Sequence, residues 1–217
     1  MRIPIVPIAY RYLAPLILLT ILAYIKIFYL FPFFLIMTLF VAYFFRDPVR
    51  KPPTGNDLIL SPADGRILDI GRMHEEHYIQ GETVRVKIFL SVFDVHVNRS
   101  PYGGSVSFQQ HIPGRFIAAY KEEAPSENER NLIGIMTEYG KILVVQIAGK
   151  VARRIVSWIN VGDLVEPGTP IGMIRFGSCT ELYLPVEVTI NVKVGDRVRG
   201  GETVLAEFQR KHTEIDP

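Results

Sequence analysis

The sequence predicts a mainly β protein with a small barrel or sandwich core, preceded by a hydrophobic helical segment. Three observations support this fold class: an uncharged N-terminal block, strand-length apolar runs in the rest of the chain, and a Gly-Asp turn that occurs twice. The chain of 217 residues is long enough for one ordinary domain and one additional segment.

The N-terminal block is apolar enough to enter a membrane. Leu13–Ile25 carries no charge, and after Lys26 a second uncharged stretch runs from Ile27 to Phe45. A bilayer core about 30 Å thick needs roughly 20 helical residues, so the second stretch is long enough to span it and the first is short. We therefore expect residues 1–50 to form a membrane-anchoring helical hairpin, either as two spans or as a shallow hairpin.

Basic residues flank this block on both sides and are nearly absent from its middle: Arg2, Arg11, Lys26, Arg46, Arg50 and Lys51. If both segments span, the distribution places both chain ends on the cytoplasmic side of the cell membrane, and with them the domain that follows. A cleaved signal peptide is disfavoured, because no small-x-small cleavage site follows the first apolar run.

The remainder of the chain, residues 51–217, has the pattern of β-strands. Val84–Leu90, Lys141–Ile147 and Val186–Val194 are apolar or alternate at strand length, and turn residues bound them. Helical periodicity is confined to short segments such as Phe116–Tyr120. We expect one β domain with few short helices.

One turn motif occurs twice, 33 residues apart. Val161–Gly168 and Val194–Gly201 share the pattern V-G-D-x-V-x-x-G, and a short apolar strand follows each copy. A Gly-Asp turn between β-branched residues is a hairpin signal. The pattern resembles the turns of lipoyl- and biotinyl-type barrel-sandwich domains, which implies that core. Neither turn carries a lysine at its tip, so the resemblance does not imply a swinging arm.

Composition disfavours several functions. With 24 Lys+Arg against 22 Asp+Glu and no basic run, the chain lacks the charge pattern of a nucleic-acid-binding protein. A single cysteine, Cys179, excludes an intramolecular disulfide. The five histidines have no metal-ligand spacing, so we expect no metal cofactor.

A candidate nucleophile lies late in the chain. Ser178 follows Gly177, and a glycine leaves its carbonyl sterically open to an approaching hydroxyl. A serine nucleophile needs a base, and His96 oriented by a carboxylate such as Asp64 would form a Ser-His-Asp set. Each residue alone is more typical of a turn or of a structural hydrogen bond. Spacing alone therefore leaves the triad and the ordinary turn as open alternatives.

Five motifs occur in order between residues 46 and 185: S-P-A-D-G, F-L-S-x-F-D-V-H-V-N-R-x-P, N-E-R-N, Q-I-A-G-x-V-A-R-R-I and R-F-G-S. In these motifs the sequence resembles the phosphatidylserine decarboxylases, and the hydrophobic leader resembles their short microbial branch. The resemblance covers nearly the whole of the part that follows the leader. Several motifs in one order are far more specific than any one of them.

The resemblance implies self-cleavage at Gly177-Ser178. The Ser178 hydroxyl would attack the Gly177 carbonyl, giving a β-chain of residues 1–177 and an α-chain of residues 178–217 that begins with a pyruvoyl group. His96 would be the base, oriented by Asp64, and would also return the proton after decarboxylation. The pyruvoyl cofactor would act as the electron sink for loss of CO2 from a serine-headed phospholipid, phosphatidylserine or archaetidylserine, leaving the ethanolamine-headed lipid.

Two departures and three weaker candidates accompany the resemblance. Arg99 stands where longer relatives carry a second histidine, and Cys179 follows the serine where Arg, Ser or Thr is expected. Arg115, Arg153 and Arg154 are candidates for the lipid phosphate, because guanidinium matches phosphate in a bidentate manner.

Other interpretations of the sequence are a membrane-anchored serine hydrolase and a non-enzymatic lipoyl-like assembly module. The first lacks a G-x-S-x-G elbow. The second leaves S-P-A-D-G and D-V-H-V-N-R unexplained. Partners expected for the enzyme are the phospholipid and membrane, its own second chain, and a homodimer partner at an exposed sheet edge.

Overall fold

The chain divides into two compact units, Met1–Val49 and Arg50–Pro217. The computed structural model describes residues 4–115, 127–149, 154–175 and 178–209. The two long helices of these residues lie in the first unit and the strands in the second. The expected short helix at Phe116–Tyr120 lies outside the described residues.

The first unit is a pair of apolar helices, α1 (Tyr10–Lys26) and α2 (Phe31–Phe44), which pack against each other. Short 3-10 turns, Pro7–Ala9 and Phe28–Leu30, precede them. The hydroxyls of Thr20 and Thr38 lie 3.0 Å apart where the helices meet. Large apolar side chains are exposed along both helices, which is typical of a surface that contacts lipid or another protein.

The relative lengths of the two helices differ from expectation. Among the described residues the helical segment long and apolar enough to cross a membrane is the first, Pro7–Lys26, whereas Phe28–Phe44 is shorter. The backbone breaks at Ile27, and Pro32 lies in the first turn of α2, where proline favours helix initiation. The uncharged stretch Ile27–Phe45 therefore forms the helical segment Phe28–Phe44, which is the shorter of the two.

The second unit is mainly β, which confirms the predicted fold class. Its strands in the described residues are β1 (Leu58–Leu60), β2 (Gly65–Glu75), β3 (Gly81–Leu90), β4 (Val97–Arg99), β5 (Gly104–Ile112), β6 (Arg130–Thr137), β7 (Gly140–Ile147), β8 (Ile155–Ser157), β9 (Leu164–Val165), β10 (Pro170–Ile174), β11 (Ser178–Pro185), β12 (Val188–Ile190), β13 (Arg197–Val198) and β14 (Val204–Phe208).

These strands form three antiparallel sheets. The large sheet has the order β13-β2-β3-β11-β7-β6-β5-β9, and the small sheets have the orders β1-β14-β12 and β4-β10-β8. The predicted run Val186–Val194 yields only the short β12, because residues 186–187 form a turn before it and another turn follows at Lys193, whose N–H donates to Asp196 Oδ2 at 3.0 Å.

The repeated Gly-Asp turns occupy equivalent places in this unit. Gly162 and Gly195 both adopt positive φ, +101° and +96°, which glycine adopts without strain. Their partners also correspond: Gly162 N–H donates to the carbonyl of Val106 in β5, and Gly195 N–H donates to the carbonyl of Ile67 in β2, at 2.8 and 2.9 Å.

A second, weaker repeat completes the symmetry. Ser61–Gly65 and Ser100–Gly104 share only Ser, Pro and Gly, yet Leu60 N–H donates to Pro101 O and Arg99 N–H donates to Pro62 O in a reciprocal pair, at 2.8 and 2.9 Å. The unit is thus built of two quasi-equivalent halves, with β11 and β7 paired side by side at the centre of the large sheet.

Strand β11 is the best covered element of this sheet. It pairs with β3 on one side and with β7 on the other. Alternation along the strand sends Leu182 and Leu184 into the main core, and Cys179 and Tyr183 into a second cluster on the opposite face of the sheet. Ser178 therefore begins a strand with a paired strand at each edge and packed side chains on both faces.

Candidate active site

Ser178 is the first residue of β11 and lies opposite Leu90, the last residue of β3. The side chain is fully buried, and its Oγ has no hydrogen-bond partner among the residues that the structure describes. Buried hydroxyls are nearly always hydrogen-bonded, because burial of an unpaired polar atom costs free energy. The Ser178 hydroxyl is therefore an exception to this rule among the described residues.

His96 is brought to the same end of the domain by strand pairing. Ile174, the last residue of β10, donates its N–H to the His96 carbonyl at 3.2 Å. Four residues later the chain reaches Ser178, and four residues span at most about 14 Å. The loop from Leu90 to His96 connects β3 to β4. The segment from Ile174 to Ser178 connects the partners of these two strands, β10 and β11.

The imidazole of His96 is fully buried, and Nδ1 lies 2.9 Å from the Asp94 carbonyl oxygen. A carbonyl only accepts hydrogen bonds, so the neutral ring carries its proton on Nδ1 and leaves Nε2 as the basic nitrogen. The loop is fixed by Asp94 Oδ2, which accepts hydrogen bonds from Ser91 N–H and Ser91 Oγ, both at 2.8 Å. The His96 imidazole is thus held in one tautomer by the main chain.

Asp64 lies in a different hydrogen-bond arrangement from the one expected. One guanidinium nitrogen of Arg50 contacts both carboxylate oxygens, at 3.0 and 2.8 Å, and Gly200 N–H donates to Oδ1 at 2.8 Å. Burial raises the pKa of Asp64 above 3.8, although Arg50 and the Gly200 N–H act to lower it. Gly103 occupies the equivalent place in the other half, so the turn itself does not require a carboxylate.

The structure therefore places two of the predicted residues, Ser178 and His96, at neighbouring strand ends. The Asp94 carbonyl lies at His96 Nδ1, while Asp64 is bound to Arg50 and Gly200, and an orienting role for Asp64 remains a prediction. Gly177 lies outside the described residues. Sequence reasoning missed Ser91, although a serine three residues before an aspartate is a typical signature of a side-chain-capped turn.

Known proteins resemble this chain over most of its length. The sequence profile described as phosphatidylserine decarboxylase matches residues 37–206. A phosphatidylserine decarboxylase proenzyme of Carboxydothermus hydrogenoformans is 47% identical over 199 residues, covering 91% of this chain and 93% of that protein. Proenzymes of the same name from Symbiobacterium thermophilum and Desulfotalea psychrophila are 46% and 44% identical, covering 78% and 81% of this chain and 79% and 82% of their own lengths.

The chain belongs to the phosphatidylserine decarboxylase family. It is accordingly an enzyme of the carboxy-lyase type, which excludes a purely structural lipoyl-like role. In this decarboxylase Arg99 stands where longer relatives are expected to carry a second histidine. Its side chain is buried, and Nη1 donates to the Gly168 carbonyl at 3.0 Å. Arg99 thus ties β4 to the first Gly-Asp turn.

The arginine candidates for the lipid phosphate differ in position. Arg115 is 80% exposed and faces Glu127 at 3.5 Å, whereas Arg154 is exposed next to the segment that leads to Ser178, with its carbonyl accepting from Arg175 N–H at 3.4 Å. Arg153 lies outside the described residues.

Cys179 is a buried core residue of this decarboxylase. Its Sγ–H donates to the Ile88 carbonyl at 3.1 Å. Burial, followed by the nearby charge of Glu181, raises the pKa of the thiol to about 12. The thiolate needed for nucleophilic or redox chemistry is therefore disfavoured.

Proposed function

We propose that this chain is a self-processing, pyruvoyl-dependent decarboxylase of a serine-headed phospholipid, anchored to the cell membrane by its N-terminal helices. The observation that carries the proposal is the buried Ser178 hydroxyl, without a hydrogen-bond partner among the described residues, at a strand end that neighbours His96. The names of the relatives, all proenzymes, support processing.

The first step converts the Gly177-Ser178 peptide bond to an ester. His96 Nε2 accepts the Ser178 hydroxyl proton while Oγ attacks the Gly177 carbonyl, and the amide C–N bond breaks as the amine takes up a proton. Elimination then removes the Cα proton of Ser178 and breaks its Cβ–O bond, which releases Gly177 as a carboxylate. Water replaces the remaining nitrogen, which leaves as ammonia, and residue 178 becomes the pyruvoyl group.

Ser178 fits this conversion because its hydroxyl is buried, away from bulk water, on a rigid strand. When formed, the pyruvoyl group supplies the electron sink for loss of CO2. His96 then holds, on Nε2, the proton that returns to the carbon from which CO2 departs. Its Nδ1 hydrogen bond to the Asp94 carbonyl keeps the ring in place for both transfers.

Several contacts would keep residues 178–217 bound after cleavage. Strand β11 lies between β3 and β7, β14 pairs with β1, and β13 pairs with β2. Arg50 adds polar links, because it contacts Glu202 at 3.2 Å and also holds Asp64, which accepts the Gly200 N–H. The two chains therefore act as one folded unit.

The membrane role is supported by the helical segment Pro7–Lys26, which has the length and composition of a membrane span. A lipid substrate gives such an anchor an evident use, since it keeps the active domain at the surface where the substrate resides. The flanking basic residues favour the cytoplasmic side for the decarboxylase domain.

Purified protein in vesicles tests this function. Vesicles containing phosphatidylserine and vesicles containing archaetidylserine are assayed in parallel for CO2 release and for the ethanolamine-headed product. The proposal predicts turnover of at least one lipid by wild type and no turnover by Ser178→Ala. Absence of turnover of both lipids by folded, cleaved wild type would contradict the proposed substrate class, and comparison of the two rates identifies the preferred lipid backbone.

A further inference from the structure

A buried row of polar side chains crosses the domain next to Ser178. Asn131 Nδ2 donates to Gln146 Oε1 at 2.8 Å, Gln146 Nε2 donates to Asn98 Oδ1 at 2.7 Å, and Asn98 Nδ2 donates to Thr180 Oγ1 at 3.1 Å. All four side chains are at most 4% exposed. We call this set, Asn131–Gln146–Asn98–Thr180, the amide row.

The amide row joins two sheets. Asn131, Gln146 and Thr180 are direct neighbours across β6, β7 and β11 of the large sheet. Asn98 reaches them from β4 of a small sheet. Gly172 of β10 leaves room for this contact, because a Cβ there would lie 3.1 Å from Gln146 Nε2.

The contact between the sheets, the hydrogen bond from Asn98 to Thr180, lies close in sequence to the predicted catalytic pair, Ser178 and His96. Ser178 is two residues before Thr180 on β11, and residues i and i+2 of a strand share one face about 6.6 Å apart. His96 is likewise two residues before Asn98, at the entrance to β4. The Asn98–Thr180 hydrogen bond therefore lies two residues further along both chain segments than His96 and Ser178, which must meet for self-cleavage.

We propose that Asn98 and Thr180 are positioning residues for self-cleavage, whose hydrogen bond sets the register of Ser178 relative to His96. This inference rests on the proposed self-cleavage. Buried amides need partners to offset desolvation, so a row of this kind adds little net stability over apolar packing. What the amide row adds is a defined relative position of the strands, because a hydrogen bond is strong only over a narrow range of distances and angles.

The matched pair Thr180→Val and Thr180→Ser tests the hydroxyl. Valine keeps the shape and removes the hydrogen bond, whereas serine keeps the hydroxyl. Self-cleavage is followed on gels during cell-free synthesis into vesicles. A shift in the reacting atoms of about 1 Å costs up to about 100-fold in rate, so we expect Thr180→Val to cut at least about tenfold more slowly, and Thr180→Ser to cut within about threefold of wild type.

Thr83→Val is the control. Thr83 is equally buried, lies at the other end of β3 opposite Pro185, and its hydroxyl donates to the Met73 carbonyl at 2.7 Å. We expect its cutting rate to stay at the wild-type value. Melting temperatures of all three variants, measured in the uncut Ser178→Ala protein, report loss of stability separately from loss of rate.

Gln146→Met provides a second test that leaves Thr180 unchanged, because it removes the amide that donates to Asn98 Oδ1. The same slowing is expected. Cutting at the wild-type rate in Thr180→Val or in Gln146→Met would overturn the inference, as would equal slowing in Thr83→Val. If wild type itself is not cut, self-cleavage and the inference that rests on it both fail. If wild type is cut and Thr180→Val is cut equally fast, only the inference fails.

Discussion

One guanidinium nitrogen of Arg50 contacts both carboxylate oxygens of Asp64, at 3.0 and 2.8 Å. Both side chains are largely buried, 8% and 14% exposed. Arg50 also contacts Glu202 at 3.2 Å, and Asp64 accepts the Gly200 N–H. The pair thus connects the start of the domain to the turn before β14. In the sequence, these two parts of the chain lie on opposite sides of the predicted cleavage site.

We expect Asp64→Asn and Arg50→Met each to slow self-cleavage at least about tenfold. Removing one member of this buried ion pair unbalances the charges beside Gly200, so the turn around Gly200 should shift in either variant. The double variant should cut no more slowly than the worse single variant, because both substitutions remove the same interaction. Rates are measured during cell-free synthesis into vesicles.

Asp69→Asn is the matched control, since Asp69 pairs with Arg85 at 2.6 Å on a half-exposed part of β2. It should cut at the wild-type rate. Slowing by Asp64→Asn with none by Arg50→Met would contradict a shared role, and would instead favour an independent action of Asp64 on His96.

His96→Ala should slow self-cleavage by about 100-fold or more, because general base catalysis typically contributes 10²–10⁴-fold. His111→Ala is the control, since His111 is 53% exposed and lies on β5 beside Glu129. Both variants are followed by the fraction of uncut chain over time. Normal cutting and normal decarboxylation by His96→Ala would show that the base is another group.

Gly65→Ala should destabilise the domain by about 2 kcal/mol or more, because a Cβ at Gly65 would overlap the main-chain oxygen of Phe89. Gly81→Ala, at the start of β3, has no atom within 4 Å of its added Cβ and should be nearly neutral. Denaturant unfolding of both in the uncut Ser178→Ala protein provides the comparison. Equal stabilities would mean that the β2–β3 approach is not as close as described.

Glu75→Gln should remove a pH-dependent stabilisation. The Glu75 carboxylate accepts N–H bonds from His77, Tyr78 and Ile79 at 2.7, 2.9 and 2.6 Å. Burial raises the Glu75 pKa, but these three hydrogen bonds outweigh burial and bring it below 4.5. The carboxylate form therefore stabilises the fold above pH 4.5, and this contribution is lost as pH falls through the lower folded-state pKa.

At pH 7 we expect Glu75→Gln to cost about 1–3 kcal/mol in the free energy of unfolding of the uncut Ser178→Ala protein. The difference from the unsubstituted protein should shrink in acid. Glu76→Gln, at an exposed neighbouring position, should show neither effect. A difference that is independent of pH would contradict the assignment of the stabilisation to the carboxylate.

Much of the fold was predictable because it depends on local pattern. The strand runs at Val84–Leu90 and Lys141–Ile147 lie within β3 and β7, and the Gly-Asp turns were visible as a repeat. The equivalence of Ser61–Gly65 with Ser100–Gly104 was missed, because a shared Ser, Pro and Gly are too few to stand out from ordinary turns. The symmetry lies in main-chain hydrogen bonds, which many sequences can form.

Less of the candidate site than of the fold could be predicted from the sequence, for a physical reason. Ser178 and His96 carry recognisable chemistry, but the Nδ1 partner of His96 is a main-chain carbonyl, which every residue possesses. Arg50 appeared only as a flanking basic residue, since its contacts with Asp64 and Glu202 join parts of the chain that are distant in sequence. Such pairings follow from the tertiary fold and leave no local signal.

The most direct test of self-cleavage at Gly177-Ser178 is the intact mass of purified wild-type protein beside Ser178→Ala. We predict two wild-type fragments, residues 1–177 and residues 178–217. The smaller should be blocked to Edman sequencing, and lighter by one ammonia than a fragment with an N-terminal serine. Ser178→Ala should remain a single chain of 24.6 kDa. A single uncut chain from active wild-type protein, or a small fragment with a free N-terminal serine, would contradict the account.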